Sequence, residues 1–257
     1  MGEAVVNPMS LQRRGVVKQH ILDPIPWQID IAQLAQKLHL VGRSEELKDL
    51  KEMVAQALAI GRPKAFYALA PIESRGEQSV VINGIELRSR VLRVNLEQAH
   101  RVFPFVATCG TELGSWSETI SDRILHRFWA DQIKELALRS ATAFMRDHLV
   151  THYRPGRIAQ MNPGSLADWP LGQQKLLFRI LGTAPQSIGV QLTERMLMIP
   201  IKSVSGIIFP TESAFESCQL CPLEGCPSRR AEYQPTLYSQ RYQPSGHSAP
   251  HEEIPSP

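Results

Sequence analysis

The stretch that decides the fold reads NPGSLADWPLGQQKLLFRILG at residues 162–182, followed by IGVQLTERMLMIPIKSVSGIIFP at residues 188–210. The first part predicts a helix, because its aliphatic residues recur every three or four positions. Asp168 is the predicted N-terminal cap of that helix, and Gly182 is the predicted stop at its C-terminus. The second part predicts a buried strand that is interrupted by Pro200. The residues alone therefore indicate a core helix packed against a core strand.

The remaining chain predicts further helices and strands in a mixed order. Helices are predicted over residues 29–39, 44–60 and 117–150, and strands over residues 64–69, 80–82, 87–95 and 102–108, with a hairpin turn at Asn83-Gly84. The helices and strands do not alternate as they do in a doubly wound parallel sheet. The predicted fold class is therefore α+β, an antiparallel β-sheet with flanking helices.

Composition divides the chain into four segments. We predict a loose lead-in over residues 1–24, the main domain over 25–210, a cysteine-rich segment over 211–233 and a tail over 234–257. The tail is rich in Pro, Ser and Gln, and it has too few aliphatic side chains to offset the entropy of ordering. We therefore predict that the tail is disordered.

Charge and hydropathy limit the classes of function. Lys and Arg number 28 against 25 Asp and Glu, and this near balance gives no support to nucleic acid as a partner. No run of 18 apolar residues is present, so a membrane partner is not expected. The N-terminus lacks an apolar signal region, which predicts a cytoplasmic protein. No P-loop, dinucleotide-binding fingerprint or nucleophile elbow occurs, and no catalytic residue is predicted.

The four cysteines are the strongest chemical signal. Cys218, Cys221 and Cys226 lie on one loop that its Pro and Gly residues keep out of helix, and Cys109 is the only other cysteine. A closed zinc site or a cubane cluster requires four ligands, so we expect Cys109 to lie beside this loop. The three-plus-one arrangement favours a [4Fe–4S] cluster. Zinc and free or redox-active thiols are the alternatives.

The opening stretch also resembles the reactivation domain of cobalamin-dependent methionine synthase. That family carries a Pro-Gly segment, then a helix, then a strand with a Ser-Val-Ser-Gly run. The matching residues here are Pro163-Gly164, Gly189, Leu192-Thr193-Glu194, Met198, Pro200 and Ser203-Val204-Ser205-Gly206. With weaker similarity upstream, the resemblance extends over about residues 20–210. It is greatest to the small stand-alone proteins of that superfamily.

The resemblance also implies a cofactor-binding set. In that family an Arg-x-Ala-Pro-Gly-Tyr segment binds S-adenosylmethionine, and Arg157 and Ala159 match its arginine and its alanine. Gly164 and Glu194 complete the set that the resemblance implies.

The same segment departs from the family pattern at three places. Residues 160–162 are inserted before the Pro-Gly pair, Ser165 replaces the tyrosine, and Thr151 stands where the family has a glutamate. We therefore expect S-adenosylmethionine to bind weakly or not at all.

The function implied by the resemblance is the reactivation of a corrinoid. The chain would reduce, or help to remethylate, a separate cobalamin or corrinoid methyltransferase, and the cobalamin would be carried by that partner. The spacing of the 218–226 cysteines is also similar to that of corrinoid iron–sulfur proteins, so a cluster would supply the electron. Two alternatives stay open: a non-catalytic binding or assembly module with a structural zinc or iron–sulfur site, and an S-adenosylmethionine-dependent methyltransferase.

Overall fold

The computed structural model describes residues 18–120 and 123–243. The helices are α1 (Ile31–Lys37), α2 (Ser44–Ile60), α3 (Arg90–Asn95), α4 (Thr111–Thr119), α5 (Ile124–Tyr153), α6 (Gln174–Leu181), α7 (Ala184–Ser187) and α8 (Leu237–Arg241). The strands are β1 (Gln19–Leu22), β2 (Lys64–Ala68), β3 (Ala70–Arg75), β4 (Ser79–Ile82), β5 (Ile85–Arg88), β6 (Arg101–Thr108), β7 (Ile158–Met161), β8 (Gln191–Leu192), β9 (Met198–Ile199) and β10 (Ser203–Pro210). Short 3₁₀ helices occupy Leu171–Gln173 and Ser217–Leu220. None of the helices in the described ranges is long and apolar enough to cross a membrane.

An eight-stranded antiparallel sheet organises these elements. Its main path runs β1-β2-β6-β3-β4-β5, while β10 pairs with β6 and β7 pairs with β10. The longest pairing joins β6 to β10, from Thr108 opposite Ser203 to Phe103 opposite Ile208. Helices flank this sheet, so the predicted fold class, an antiparallel sheet with flanking helices, is confirmed.

Helices cover both faces of the sheet, because successive strand residues point to opposite sides. Phe66 and Val106 pack on the face that α6 covers. Tyr67 and Phe105, their neighbours along the chain, pack on the face that α5 covers. On the α5 side, α1, α2 and α4 close around the first half of α5 in a helical cluster that includes Cys109. The two apolar layers hold the sheet between them.

Two sequence predictions, one of a strand and one of a helix cap, are wrong, and they have one cause. The second half of the predicted strand 87–95 is helix α3, whose N-cap Ser89 accepts a hydrogen bond from the backbone N–H of Leu92. Asp168 does not cap the helix that follows it in sequence. Its carboxylate instead accepts from the backbone N–H groups of Arg90 (3.2 Å) and Val91 (3.0 Å). The charge of a later segment thus stabilises the first turn of α3.

Other element boundaries also differ from the sequence predictions. The predicted helix 117–150 is two helices, α4 and α5, and strands β1, β3 and β7 were not predicted. β1 and β7 are four-residue strands with one neighbour each, too short for a visible alternation of apolar and polar residues. The helix predicted over residues 44–60 agrees with α2.

Part of the predicted disordered tail has a defined place in the fold. Tyr242 is fully buried, and its hydroxyl donates to Asn95 Oδ1 (3.1 Å). Arg90 Nε donates to the carbonyl oxygen of Tyr242 (3.1 Å). One buried aromatic ring thus gives a polar segment the apolar contact that its composition did not predict. The rest of the predicted tail, 244–257, and residues 1–17 of the predicted lead-in lie outside the described residues.

Candidate functional site

A cleft of ≈ 430 Å³ lies where the sheet edge, α3 and the C-terminal helix meet. Its walls come from the end of α3 and the turn after it (94–99), from Pro155 before β7, from the turn after β10 (210–213) and from Arg241 of α8. The volume is within the range of about 300–1,000 Å³ that is usual for small-molecule sites. We call it the β7 cleft.

Neither Arg157 nor Ala159 is among the residues that line the β7 cleft, but Arg157 is hydrogen-bonded to two residues that are. Ala159 pairs with Phe209 of β10, and its side chain is buried in the sheet. The carbonyl oxygen of Arg157 accepts from the backbone N–H of Thr211 (2.9 Å), and Arg157 Nη1 donates to the carbonyl oxygen of Glu212 (3.3 Å). Thr211 and Glu212 both line the cleft, so these bonds tie the predicted binding strand to the cleft wall.

Gly164 and Glu194 lie elsewhere. Gly164 has a φ of +85°, and a Cβ at this position would lie 3.1 Å from Leu171 Cδ1. Its role is therefore a turn before the 3₁₀ helix, where its N–H donates to the carbonyl oxygen of Trp169 (2.8 Å). Glu194 is exposed in the turn between β8 and β9. Neither residue is among those that line the β7 cleft, and their assignment to a cofactor stays a prediction.

The four cysteines are not brought to one place. Cys109 is fully buried in the helical cluster, on the α5 side of the sheet. Cys221 packs against the cluster on the α6 side. Across residues 18–120 and 123–243, no group of three or more His, Cys, Asp and Glu side chains is placed to hold a metal ion. The predicted four-thiolate site, as a [4Fe–4S] cluster or as a zinc site, is therefore not supported.

The chemistry of Cys109 also does not fit a ligand. Burial raises the pKa of the Cys109 thiol to about 12, against the weaker opposite effects of Lys134 and Lys202. Its Sγ donates to the carbonyl oxygen of Gly110 (3.5 Å), as a protonated thiol does. Because the thiolate is the form that binds metals, this cysteine is a small apolar core residue.

The 218–226 loop is ordered by Arg229. Its guanidinium donates to the carbonyl oxygens of Cys218 (3.2 Å), Cys221 (3.2 Å) and Leu223. The backbone N–H of Arg230 lies 3.5 Å from Cys218 Sγ. All three cysteines of the loop are free and half-buried. Hydrogen bonds from one arginine side chain thus hold this loop together.

A cluster of histidine and tyrosine side chains fixes β1 to the end of α5. His20 Nε2 lies 2.8 Å from the Tyr153 hydroxyl, and the Tyr67 hydroxyl lies 2.7 Å from His148 Nδ1. The ring of His152 stacks on that of His148 at a centroid distance of 5.8 Å. Burial, and then the nearby His152, His148 and Lys18, lower the pKa of His20. The cluster does not line the β7 cleft.

None of the residues that line the β7 cleft was among the binding residues that the sequence predicted, and Asn95 and Arg241 are two examples. Asn95 and Arg241 line the β7 cleft, but Asn95 stood in a predicted strand and Arg241 in a predicted disordered tail. The one sequence signal was the spacing of Tyr238 and Tyr242, four residues apart in an otherwise polar segment, which is a helical pair.

Comparisons with known proteins agree with the sequence resemblance. Residues 115–217 match the protein-family model described as "Vitamin B12 dependent methionine synthase, activation domain". No curated protein matches the chain. Among solved structures, the chain is similar to the one titled "Crystal Structure of the MetH Reactivation Domain bound to AdoHcy", with a TM-score of 0.52 and 14% sequence identity. The similarity covers 79% of this chain and 81% of that chain, and at this identity it shows the fold. The resemblance inferred from the sequence is thereby confirmed: the chain carries the pattern of the vitamin B12-dependent methionine synthase activation domain over residues 115–217, in the fold of the MetH reactivation domain.

Proposed function

We propose that this chain assists the reactivation of a corrinoid cofactor that is bound to a separate protein. The observation that carries the proposal is the position of β7. Arg157, directly before this strand, is hydrogen-bonded to the turn that lines a cleft of ligand size, and the strand lies within the residues that match the activation-domain family. The structural relative is the MetH reactivation domain bound to AdoHcy.

The β7 cleft is the proposed small-molecule site, and an S-adenosyl compound is the proposed ligand. The sequence predicted weak or absent binding, partly because residues 160–162 are inserted after Ala159. In the structure Gln160 and Met161 extend β7 and pair with Ile208 and Ile207 of β10. Asn162 follows them, and its Nδ2 donates to the carbonyl oxygen of Ser205 (2.6 Å). The insertion therefore lengthens the sheet pairing and does not fill the cleft, which removes that argument against binding.

The protein's own part in the proposed reaction is binding and orientation. The reaction would transfer the sulfonium methyl group of S-adenosylmethionine to cobalt on the partner, after one-electron reduction of cob(II)alamin, and would leave S-adenosylhomocysteine. The reducing electron would come from an external low-potential donor, because the predicted four-thiolate site is not supported. The β7 cleft would hold the methyl donor at the sheet edge, and the partner would supply the corrinoid.

The test uses the full chain and the isolated cobalamin-binding region of a vitamin B12-dependent methionine synthase, loaded with cob(II)alamin. With S-adenosylmethionine and a low-potential chemical reductant present, we expect the chain to increase the rate of methylcobalamin formation, followed by visible absorbance. Arg157→Gln should reduce that rate, because Arg157 fixes the turn that lines the cleft. The matched control is Arg179→Gln, which removes an exposed arginine of α6. A rate that is the same with and without the chain would contradict the proposal.

A further inference from the structure

We infer that Cys218 and Cys221 form a redox-active dithiol, which a small-molecule disulfide oxidises reversibly to an intramolecular disulfide. The two residues are the Cys-x-x-Cys part of the 218–226 loop, and the proposed function gives neither of them a role. Both are free and half-buried. The inference assigns a covalent modification site outside the β7 cleft, and it does not depend on an S-adenosyl ligand.

The backbone of the loop brings the two cysteines together. Residues Ser217–Leu220 form a 3₁₀ helix, and the backbone N–H of Cys221, its C-cap, donates to the carbonyl oxygen of Cys218 (3.2 Å). One turn of 3₁₀ helix advances about 6 Å, and side chains three residues apart lie above one another. Disulfides join Cα atoms that are about 4.4–6.8 Å apart. The backbone therefore has the spacing that a Cys218–Cys221 disulfide requires.

Arg229 holds this turn in place. Its guanidinium donates to the carbonyl oxygens of Cys218 (3.2 Å) and Cys221 (3.2 Å), and its backbone N–H donates to the carbonyl oxygen of Cys226 (3.1 Å). A guanidinium is planar and rigid, so two carbonyls that bind it are fixed relative to each other. Closing the disulfide ring then costs little further backbone entropy.

The surroundings of the two sulfurs differ, and this sets the order in which they react. The backbone N–H of Arg230 lies 3.5 Å from Cys218 Sγ. Such a donor stabilises the negative charge that a sulfur carries during thiol–disulfide exchange. Cys221 instead packs against the apolar cluster on the α6 side. We therefore expect Cys218 to attack the oxidant and Cys221 to close the ring.

Two exchange steps complete the reaction. The Cys218 thiolate attacks one sulfur of the small disulfide, forms a mixed disulfide and releases one small thiolate. The Cys221 thiolate then attacks Cys218 Sγ, forms the protein disulfide and releases the second small thiolate. Two protein thiols are thereby oxidised by two electrons, and the small disulfide is reduced to two thiols. The two protons of the protein thiols pass to these products through the solvent.

The test uses the reduced full chain and 2-hydroxyethyl disulfide, a small uncharged disulfide, at neutral pH. The reaction is stopped with acid, the remaining thiols are alkylated with N-ethylmaleimide in denaturant, and the digested chain is analysed by mass spectrometry. We expect a Cys218–Cys221 disulfide that dithiothreitol reverses, with Cys109 and Cys226 alkylated. In Cys221→Ser the small thiol should stay attached to Cys218. Cys226→Ser is the matched control and should form the disulfide at the unmodified rate.

Two adjacent arginines test whether the fold positions the thiols. Arg229→Gln should slow ring closure by about 10-fold, because it removes the hydrogen bonds to both cysteine carbonyls. The first step, measured as mixed-disulfide formation in a Cys221→Ser background, should change much less. Arg230→Gln keeps the backbone N–H at Cys218 and loses the ion pair with Glu216 (3.0 Å), so ring closure should keep its rate. An unchanged rate in Arg229→Gln would contradict this positioning role.

Three results would overturn the dithiol itself. The first is a mixed disulfide that persists on the folded chain without ring closure. The second is a main product whose disulfide contains Cys226. The third is ring closure that is as fast in concentrated urea as in the folded chain, because the backbone would then contribute nothing. The proposed function is tested separately, through methylcobalamin formation, so either idea can fail while the other stands.

Discussion

Replacing Asp168 by alanine should destabilise the protein substantially. Asp168 is half-buried, and its carboxylate joins three segments of the chain. It accepts from the backbone N–H groups of Arg90 and Val91 and from the Ser89 hydroxyl, and it lies 3.4 Å from the Tyr238 hydroxyl. The substitution thus removes the acceptor at the start of α3 and one tether of α8.

The size of the destabilisation follows from the hydrogen-bond donors that lose their acceptor when the Asp168 carboxylate is removed. Val91 is fully buried, so its N–H would lose its partner where water does not replace it, at a cost of about 1–3 kcal/mol. Ser89 is also buried, and its hydroxyl would lose the charged acceptor. The cap from Ser89 to the N–H of Leu92 would remain and would limit the loss. We expect a decrease in the free energy of unfolding of about 2–4 kcal/mol.

Urea and thermal denaturation, followed by circular dichroism, measure this decrease. At this chain length about 2–4 kcal/mol corresponds to a melting temperature lower by about 4–16 °C. Asp168→Asn, which keeps one acceptor oxygen and the shape, should lose about half as much. Asp147→Ala, on an exposed face of α5, is the control and should change the free energy by less than about 0.5 kcal/mol. A loss in Asp168→Ala no larger than in this control would refute the reasoning.

Three further outcomes are expected. At pH 7.5 iodoacetamide should alkylate the three half-buried cysteines of the 218–226 loop quickly and Cys109 only after unfolding, because burial raises the pKa of the Cys109 thiol to about 12. Mass spectrometry that finds four rapidly labelled cysteines would contradict this prediction. The pKa of His20 is lowered from 6.5 by burial and by neighbouring cationic and imidazole groups, so the unfolded chain takes up this proton more readily. Stability should therefore be full above about pH 6.5 and fall as pH decreases, and urea midpoints between pH 5 and 8 should fall less steeply in His20→Gln. Gly206→Ala should lower the free energy of unfolding by about 1–3 kcal/mol, because the added Cβ would lie 2.5 Å from Asn162 Nδ2 and from the carbonyl oxygen of Met161. Gly172→Ala, which has open space around the added Cβ, should change it little, and equal urea midpoints for the two variants would exclude the steric explanation.

Local sequence patterns correctly predicted the helices and strands that are stabilised mainly by residues close to them in the chain. Helix α2 shows this most clearly, since its apolar spacing, the acidic residues of its first turn and Gly61 after its end gave both boundaries. The α+β class followed in the same way from the order of the elements. In the 162–210 stretch, many residues of different types match the family pattern in the same order along the chain, and this indicated the resemblance.

Long-range contacts account for the elements that were missed. The segment 90–95 has β-branched residues that favour a strand, but the carboxylate of Asp168, 78 residues after Arg90, satisfies the N–H groups of a helix there. A short sequence window around Asp168 does not contain the residues that its carboxylate binds, Ser89, Arg90 and Val91. Tyr242 is a similar case, because its burial depends on Asn95, 147 residues earlier. Composition describes what a segment can bury by itself, and here the burial is supplied by another part of the chain.

The prediction of a four-cysteine site is not supported, and the reason is related. Cys109 was assigned to the 218–226 loop because the site needed a fourth ligand and no other cysteine was available. A residue in or next to a strand, however, faces only one side of the sheet. Cys109 continues the face of Phe105 and Ala107 towards α5, whereas Cys221 packs on the face of α6. A spacing rule counts ligands and carries no information on which face each of them occupies.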